Sequence, residues 1–211
     1  MNARGAILGR LGGEIDPATL DAEAALLLDT PERPMVDRAD FIGAFLAQLS
    51  HPKLGATCDR IGAIADVPRA VRRYLDAQNL APALYLPPAP AMTALDWRGF
   101  TIDRSCAPDQ VAALALARIG VAETGSLVLE TAPDAPMLPN FLCLHHIVLL
   151  AEERIVPHLE DAALPGPQPR AHYWITGVSG TTDIEGQYVR GAHGPRFLHV
   201  ILISNTAPMD H

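Results

Sequence analysis

Short apolar runs separated by proline- and glycine-rich turns dominate the pattern of this chain. Ser126 to Thr131 (SLVLET), His146 to Leu150 (HIVLL), His172 to Thr176 and Phe197 to Ser204 have strand lengths and apolar or β-branched density. Pro82 to Leu86 and Phe100 to Ile102 read as shorter strands, and Val111 to Leu116 fits a buried strand or a helix segment. Helical spacing appears in Asp37 to Leu49, where Phe41, Phe45, Leu46 and Leu49 share a face. Asp66 before Pro68 reads as an N-cap, with Val71 and Leu75 supporting a helix to about Asn79. Ala18 to Asp29 and Ile155 to Ala163 are the other expected helices. Strands alternating with helices predict an α/β domain, layered around a largely parallel sheet. Its interior strands are continuously apolar because both faces are covered.

Prolines cluster in 31–34, 82–90, 133–139 and 165–169, each between apolar segments, and so punctuate elements. Residues 1–34 are weakly patterned and read as an N-terminal arm or helical extension; residues 35–211 read as the α/β domain. The chain has 211 residues, 16 basic and 24 acidic, with a net charge of -8. Without a basic cluster, no nucleic-acid backbone is tracked. No run reaches the roughly 20 apolar residues of a membrane span, and the first residues lack an apolar signal core. A cytoplasmic protein is expected. Cys58, Cys106 and Cys143 form no CxxC pair and are too few to supply the four thiolates of an iron–sulfur cluster.

Three segments have the residue types of a site. In Ala122-Glu123-Thr124-Gly125-Ser126, Gly125 allows close backbone approach, and Glu123 is a candidate acid, base or nucleophile. The same hydroxyls also suit plain turn hydrogen bonds. His145 and His146 enter a strand side by side, so their imidazoles face opposite ways. That disfavours a shared metal, and no metal site is expected. The third is Gly177-Val-Ser-Gly-Thr-Thr-Asp-Ile-Glu-Gly186, followed by Gly191-Ala-His-Gly-Pro195. Thr182-x-x-Glu185 matches a capping box, so a helix is expected to begin near Thr182. Its free amides, with Ser179, Gly180 and Thr181 alongside, suit a small anion; Asp183 is a candidate catalytic carboxylate, and His193 sits in the later turn. A tight capped turn accounts for the same residues equally well.

The stretches AETGSLVLE (122–130), LPNFLCLHHIVLL (138–150) and GVSGTTDIEGQYVRGAHGPRFLHVILI (177–203) resemble the LutC/YkgG family, also called the LUD domain. The resemblance covers roughly the C-terminal half. It implies the α/β fold shared by phosphosugar isomerases, CoA transferases and formyltetrahydrofolate cyclo-ligase (NagB/RpiA/CoA-transferase-like). It also implies an accessory role in L-lactate utilisation beside iron–sulfur partner proteins that oxidise lactate to pyruvate. Clusters would then reside in the partners. The alternative is a stand-alone enzyme using Glu123 and the 177–186 loop on a small phosphorylated or carboxylate substrate.

Overall fold

The computed structural model describes residues 4–5, 9, 16–27, 33–37, 39–163, 169–182 and 185–205. The chain divides into two units, Met1–Pro34 and Met35–His211. In the first, α1 (Pro17–Leu27) starts at a proline, which is preorganised for a first helical turn, and buries none of its residues.

The second unit is built on a six-stranded parallel sheet. Its members are β1 (Ala56–Ala63), β2 (Ala83–Tyr85), β3 (Thr101–Asp103), β4 (Ala112–Leu116), β7 (His145–Ala151) and β12 (Phe197–Asn205), in the spatial order β1-β12-β7-β4-β2-β3. Alternate residues of the central strands enter different cores. Ile147, Leu149, Ile201 and Ile203 pack in one apolar cluster; Val148, Leu150, Val200 and Leu202 pack in the other. The helix α3 (Val67–Ala77) brings Val71 and Leu75 to the first cluster. The second receives Phe45 and Leu49 from α2 (Phe41–Leu49), whose N-terminus is capped by Asp40 accepting from the Gly43 amide. Two covered faces explain why these strands lack a polar side. Asp66 occupies the N-cap position of α3, but its side chain pairs with Arg69 instead of capping an amide.

The sequence pattern does not foretell a second sheet. Residues β5 (Ile119–Val121), β6 (Ser126–Glu130), β8 (Ile155–Val156) and β9 (His172–Ile175) form it in the order β8-β5-β6-β9. The β5–β6 and β6–β9 pairs are antiparallel, so SLVLE lies outside the main sheet. Leu127 and Leu129 of β6 join Phe45 and Leu150 in the second core cluster.

Two expected helices are replaced. Ile155 and Val156 pair with Gly120 and Val121, and only Leu159–Ala162 then winds into a 3₁₀ turn. Pairing with β5 commits the Ile155 and Val156 backbone to an extended conformation, so no helix begins there. Instead of a helix near Thr182, β10 (Gly180–Thr182) pairs antiparallel with β11 (Tyr188–Arg190), placing Thr181 opposite Val189. The remaining helices are short: α4 (Pro90–Thr93) and α5 (Pro139–Leu142).

Candidate functional site

Two cavities among the described residues flank α5 and β9, and Asn140 of α5 lines both. The first, about 320 Å³, is lined by the end of β2 at Tyr85, by Leu114 to Leu116 of β4, and by Arg118, Glu130, Asp134, Asn140 and Tyr173. It opens beside the point where β2 connects outward to β3 while β4 connects toward β7. Open parallel sheets form crevices at such switch points. Arg118 Nε and Glu130 Oε2 form an ion pair at 3.3 Å within it.

The second cavity, about 300 Å³, lies at the opposite, N-terminal end of β7 and β12. His146, Ser179 and His193, singled out in the sequence, line it together with Asn140, Phe141, Trp174 and Thr176. The tertiary structure brings 177–179 and 193–195 together by backbone hydrogen bonds: the Ser179 amide donates to Pro195 O at 3.0 Å, and the Gly191 amide to Ser179 O at 2.7 Å. A Cβ on Gly194 would stand 3.1 Å from the Ser179 side chain, so this close approach favours glycine. Gly177 adopts φ +83°, and a Cβ there would meet the Leu54 backbone at 2.7 Å. The Val178 amide donates to Leu54 O beside it.

His146 is fully buried on the face of β7 opposite His145. Asn140 Nδ2 donates to the Tyr173 hydroxyl at 2.5 Å, which turns its Oδ1 toward His146 Nε2 at 3.1 Å. A carbonyl oxygen only accepts, so the imidazole proton sits on Nε2 and Nδ1 is a bare acceptor. Nδ1 has no hydrogen-bond partner. Burial pushes the His146 pKa down to about 3, and it stays neutral. On the other face, His145 Nδ1 lies 2.9 Å from the Tyr74 hydroxyl and its ring stacks on Phe197. The two imidazoles therefore belong to separate environments.

Glu123 lines neither cavity. Its Oε2 accepts from His158 Nδ1 at 3.0 Å and its Oε1 from the Leu159 amide at 2.7 Å, so the carboxylate ties the 3₁₀ turn to the β5–β6 hairpin. Gly125, at φ +67°, gives room for the helix α2; a Cβ there would meet Gln48 and Leu54 side chains at 3.0 Å. Thr124 and Ser126 share a hydroxyl hydrogen bond of 2.7 Å, and Ser126 reaches Thr176 at 2.6 Å. This hydroxyl relay connects the first sequence segment to the second cavity wall. Gly180, Thr181 and Thr182 form the exposed hairpin, Glu185 lies in its turn, and Asp183 falls outside the described residues.

Asn140, Tyr173, Thr176 and Arg118 escaped the sequence reading. Asn140 is only six residues before His146, but nothing local announces that the chain doubles back to join them. Tyr173 lies in an unremarkable strand. Among the described residues, no group of three metal-ligating side chains converges.

Residues 109–203 match the family described as LUD domain. The chain is 33% identical over 94 residues to lactate utilization protein C of Deinococcus radiodurans, an alignment covering 40% of this chain and 42% of that protein. It is 33% identical over 90 residues to lactate utilization protein C of Anoxybacillus flavithermus, covering 41% of each. The matches thus span about two fifths of these relatives' length. A crystal structure of a DUF162 family protein from Deinococcus radiodurans superimposes with a TM-score of 0.55, covering 81% of this chain and all of that one at 19% identity. That likeness establishes the α/β fold. Residues 109–203, which match the LUD domain, contain every residue that lines the second cavity, and the chain is similar over about two fifths of its length to lactate utilization protein C.

Proposed function

We propose that the chain serves L-lactate utilisation as an accessory subunit, beside iron–sulfur proteins that oxidise lactate to pyruvate. One positional observation carries the reading. Every residue lining the second cavity lies within 109–203, the stretch that matches the LUD domain. The segment that matches the LUD domain is therefore the segment that builds the site.

The thiol chemistry agrees with redox centres residing in partner chains. Burial pushes the Cys58 and Cys143 thiols up to about 12 and raises Cys106. Three cysteines are also fewer than the four thiolates a cluster takes. Oxidation of lactate to pyruvate releases two electrons and two protons, and the partners' clusters would accept the electrons.

In the native host, deleting this chain is expected to abolish growth on L-lactate but not on glucose. Purification of a tagged chain from lactate-grown cells is expected to recover iron–sulfur proteins. Unchanged growth on lactate together with no such partner overturns the reading.

A second reading, a stand-alone enzyme acting on a small carboxylate substrate, is favoured by the first cavity, where Arg118 and Glu130 stand side by side at a switch point of the sheet. It predicts turnover by the purified chain alone, lost in Arg118→Ala. Absence of turnover with C3 and C4 hydroxy- and keto acids would set it aside.

A further inference from the structure

We infer that the first cavity binds a zwitterionic α-amino acid with an apolar side chain, its carboxylate taken by Arg118 and its ammonium by Glu130 and Asp134. This deepens the second reading by naming the ligand. It rests on that reading for a carboxylate ligand in this cavity, but it does not require turnover.

Arg118 and Glu130 both line the cavity, with side chains 33% and 19% exposed and their charged groups 3.3 Å apart. Other arginine–carboxylate pairs among the described residues, Arg60–Glu152, Arg69–Asp66, Arg73–Asp59 and Arg98–Asp96, are hydrogen-bonded. Arg118 and Glu130 attract each other without a hydrogen bond. A guanidinium has five N–H donors, and a carboxylate accepts through both oxygens. Among the described residues no protein group takes up these positions on Arg118 or on the Glu130 side chain. They are left to water or to a ligand.

Charge then chooses between ligands. Asp134 stands on the same wall, half-buried, and its side chain has no hydrogen bond or ion pair among the described residues. With Arg118, Glu130 and Asp134 as its charged residues, the wall has one negative charge in excess. A bare carboxylate would satisfy Arg118 but add to that excess. A bare amine would relieve the excess but leave the guanidinium donors unfilled. An α-amino acid carries both charges on neighbouring carbons, so it can exchange partners with an opposite pair at this spacing.

The remaining wall selects the side chain. Leu116, Ala132, Ala135 and Pro136 line the cavity and stay partly accessible, which favours burial of an aliphatic group. At about 320 Å³ the cavity lies at the small end of ligand pockets. Among the described residues, no lysine, arginine, aspartate or glutamate lines the second cavity, so it offers a zwitterion no such pair.

L-Leucine, 4-methyl-2-oxopentanoate and 3-methylbutylamine share one isobutyl body and differ in the charges attached to it. Calorimetric titration of the full chain is expected to show L-leucine binding about tenfold tighter than either of the others, each of which lacks one charge-assisted contact. Glycine keeps both charges without the apolar body and should bind about tenfold weaker than L-leucine. Arg118→Gln should lower L-leucine to the level of the amine, and Glu130→Gln combined with Asp134→Asn to the level of the oxo acid. The ligand ratios are read on the unsubstituted chain, so a variant that fails to fold leaves the test intact. Oxo acid, amine or glycine binding as tightly as L-leucine, no L-leucine binding at millimolar concentration, or unchanged affinity in a folded Arg118→Gln chain would each overturn the inference. L-Leucine bound but not turned over, with no turnover of hydroxy- or keto acids, removes the stand-alone enzyme and leaves this inference standing. Turnover of hydroxy- or keto acids without L-leucine binding does the reverse.

Discussion

A carboxylate accepting from a backbone amide and an imidazole together, as Glu123 does from Leu159 and His158, has its oxygens committed to the fold. Glu123→Ala strands the buried His158 imidazole and frees the exposed Leu159 amide to water, and a loss of about 1–3 kcal/mol in urea unfolding is expected. Glu123→Gln keeps an acceptor for Leu159 and should cost less. If both variants instead keep wild-type stability, the clamp is unimportant. The cysteines make a second prediction at this scale. Cys143 is buried, Cys106 and Cys58 partly so, and burial pushes Cys58 and Cys143 to about 12. Thiolate is the reacting form. An aromatic disulfide reagent at pH 7.5 should modify Cys106 first and reach Cys143 only with unfolding, which peptide mass mapping over time would show.

Between elements, the informative contact is the clasp between the loop after β9 and the turn before β12. The glycine-rich patterns 177–180 and 191–195 recur together because each satisfies the other's backbone groups, through Ser179 with Pro195 and Gly191. Gly177 anchors this arrangement against Leu54 in the connection from α2 to β1. Its positive φ and the 2.7 Å approach leave no room for a methyl group. Gly177→Ala is expected to lose about 1–3 kcal/mol, because the loop lining the second cavity must shift. Calorimetric unfolding tests this. A variant as stable as wild type would show that the loop moves freely. The hairpin beyond the clasp explains the failure of the capping-box argument. Thr182-x-x-Glu185 has helix-start chemistry, but Gly186 and Gly191 adopt positive φ on either side of β11. The three residues between Gln187 and Gly191 are too few for a helix and pair well as a strand.

Taken as a whole, the unit buries several histidines in neutral form. Burial pushes His146 to about 3 and His199 to about 4, from an ordinary value of 6.5. The unfolded chain therefore binds more protons than the folded one between about pH 6.5 and pH 3–4. Stability is full above pH 6.5 and falls as pH drops below it, by at most about 1.4 kcal/mol per pH unit for each histidine. Urea midpoints at pH 7.5 and 5.0 measure this directly. The midpoint should be lower at pH 5.0, and the gap smaller in His199→Phe; equal midpoints would show that the buried imidazoles do not govern acid stability. Among the described residues, no helix is long and apolar enough to cross a membrane.

Periodicity and composition by themselves determined most of the scaffold. The apolar runs at β4, β7 and β12 marked a sheet covered on both faces, and Asp40 with Phe41 to Leu49 supplied the means to start and bury α2. These signals are local, because strand and helix periods arise from neighbouring side chains. The quoted motifs also located the segments around the second cavity. Only the tertiary structure decided what those segments do. It turned Glu123 inward as a clamp, removed Ile155 to Ala163 from the helices through pairing with β5, and joined Asn140, Tyr173 and His146 across 33 positions of chain. An unpaired nitrogen has no signature in sequence. It emerges when the partner that would have satisfied it lies elsewhere in the fold, as it does for Nδ1 of His146.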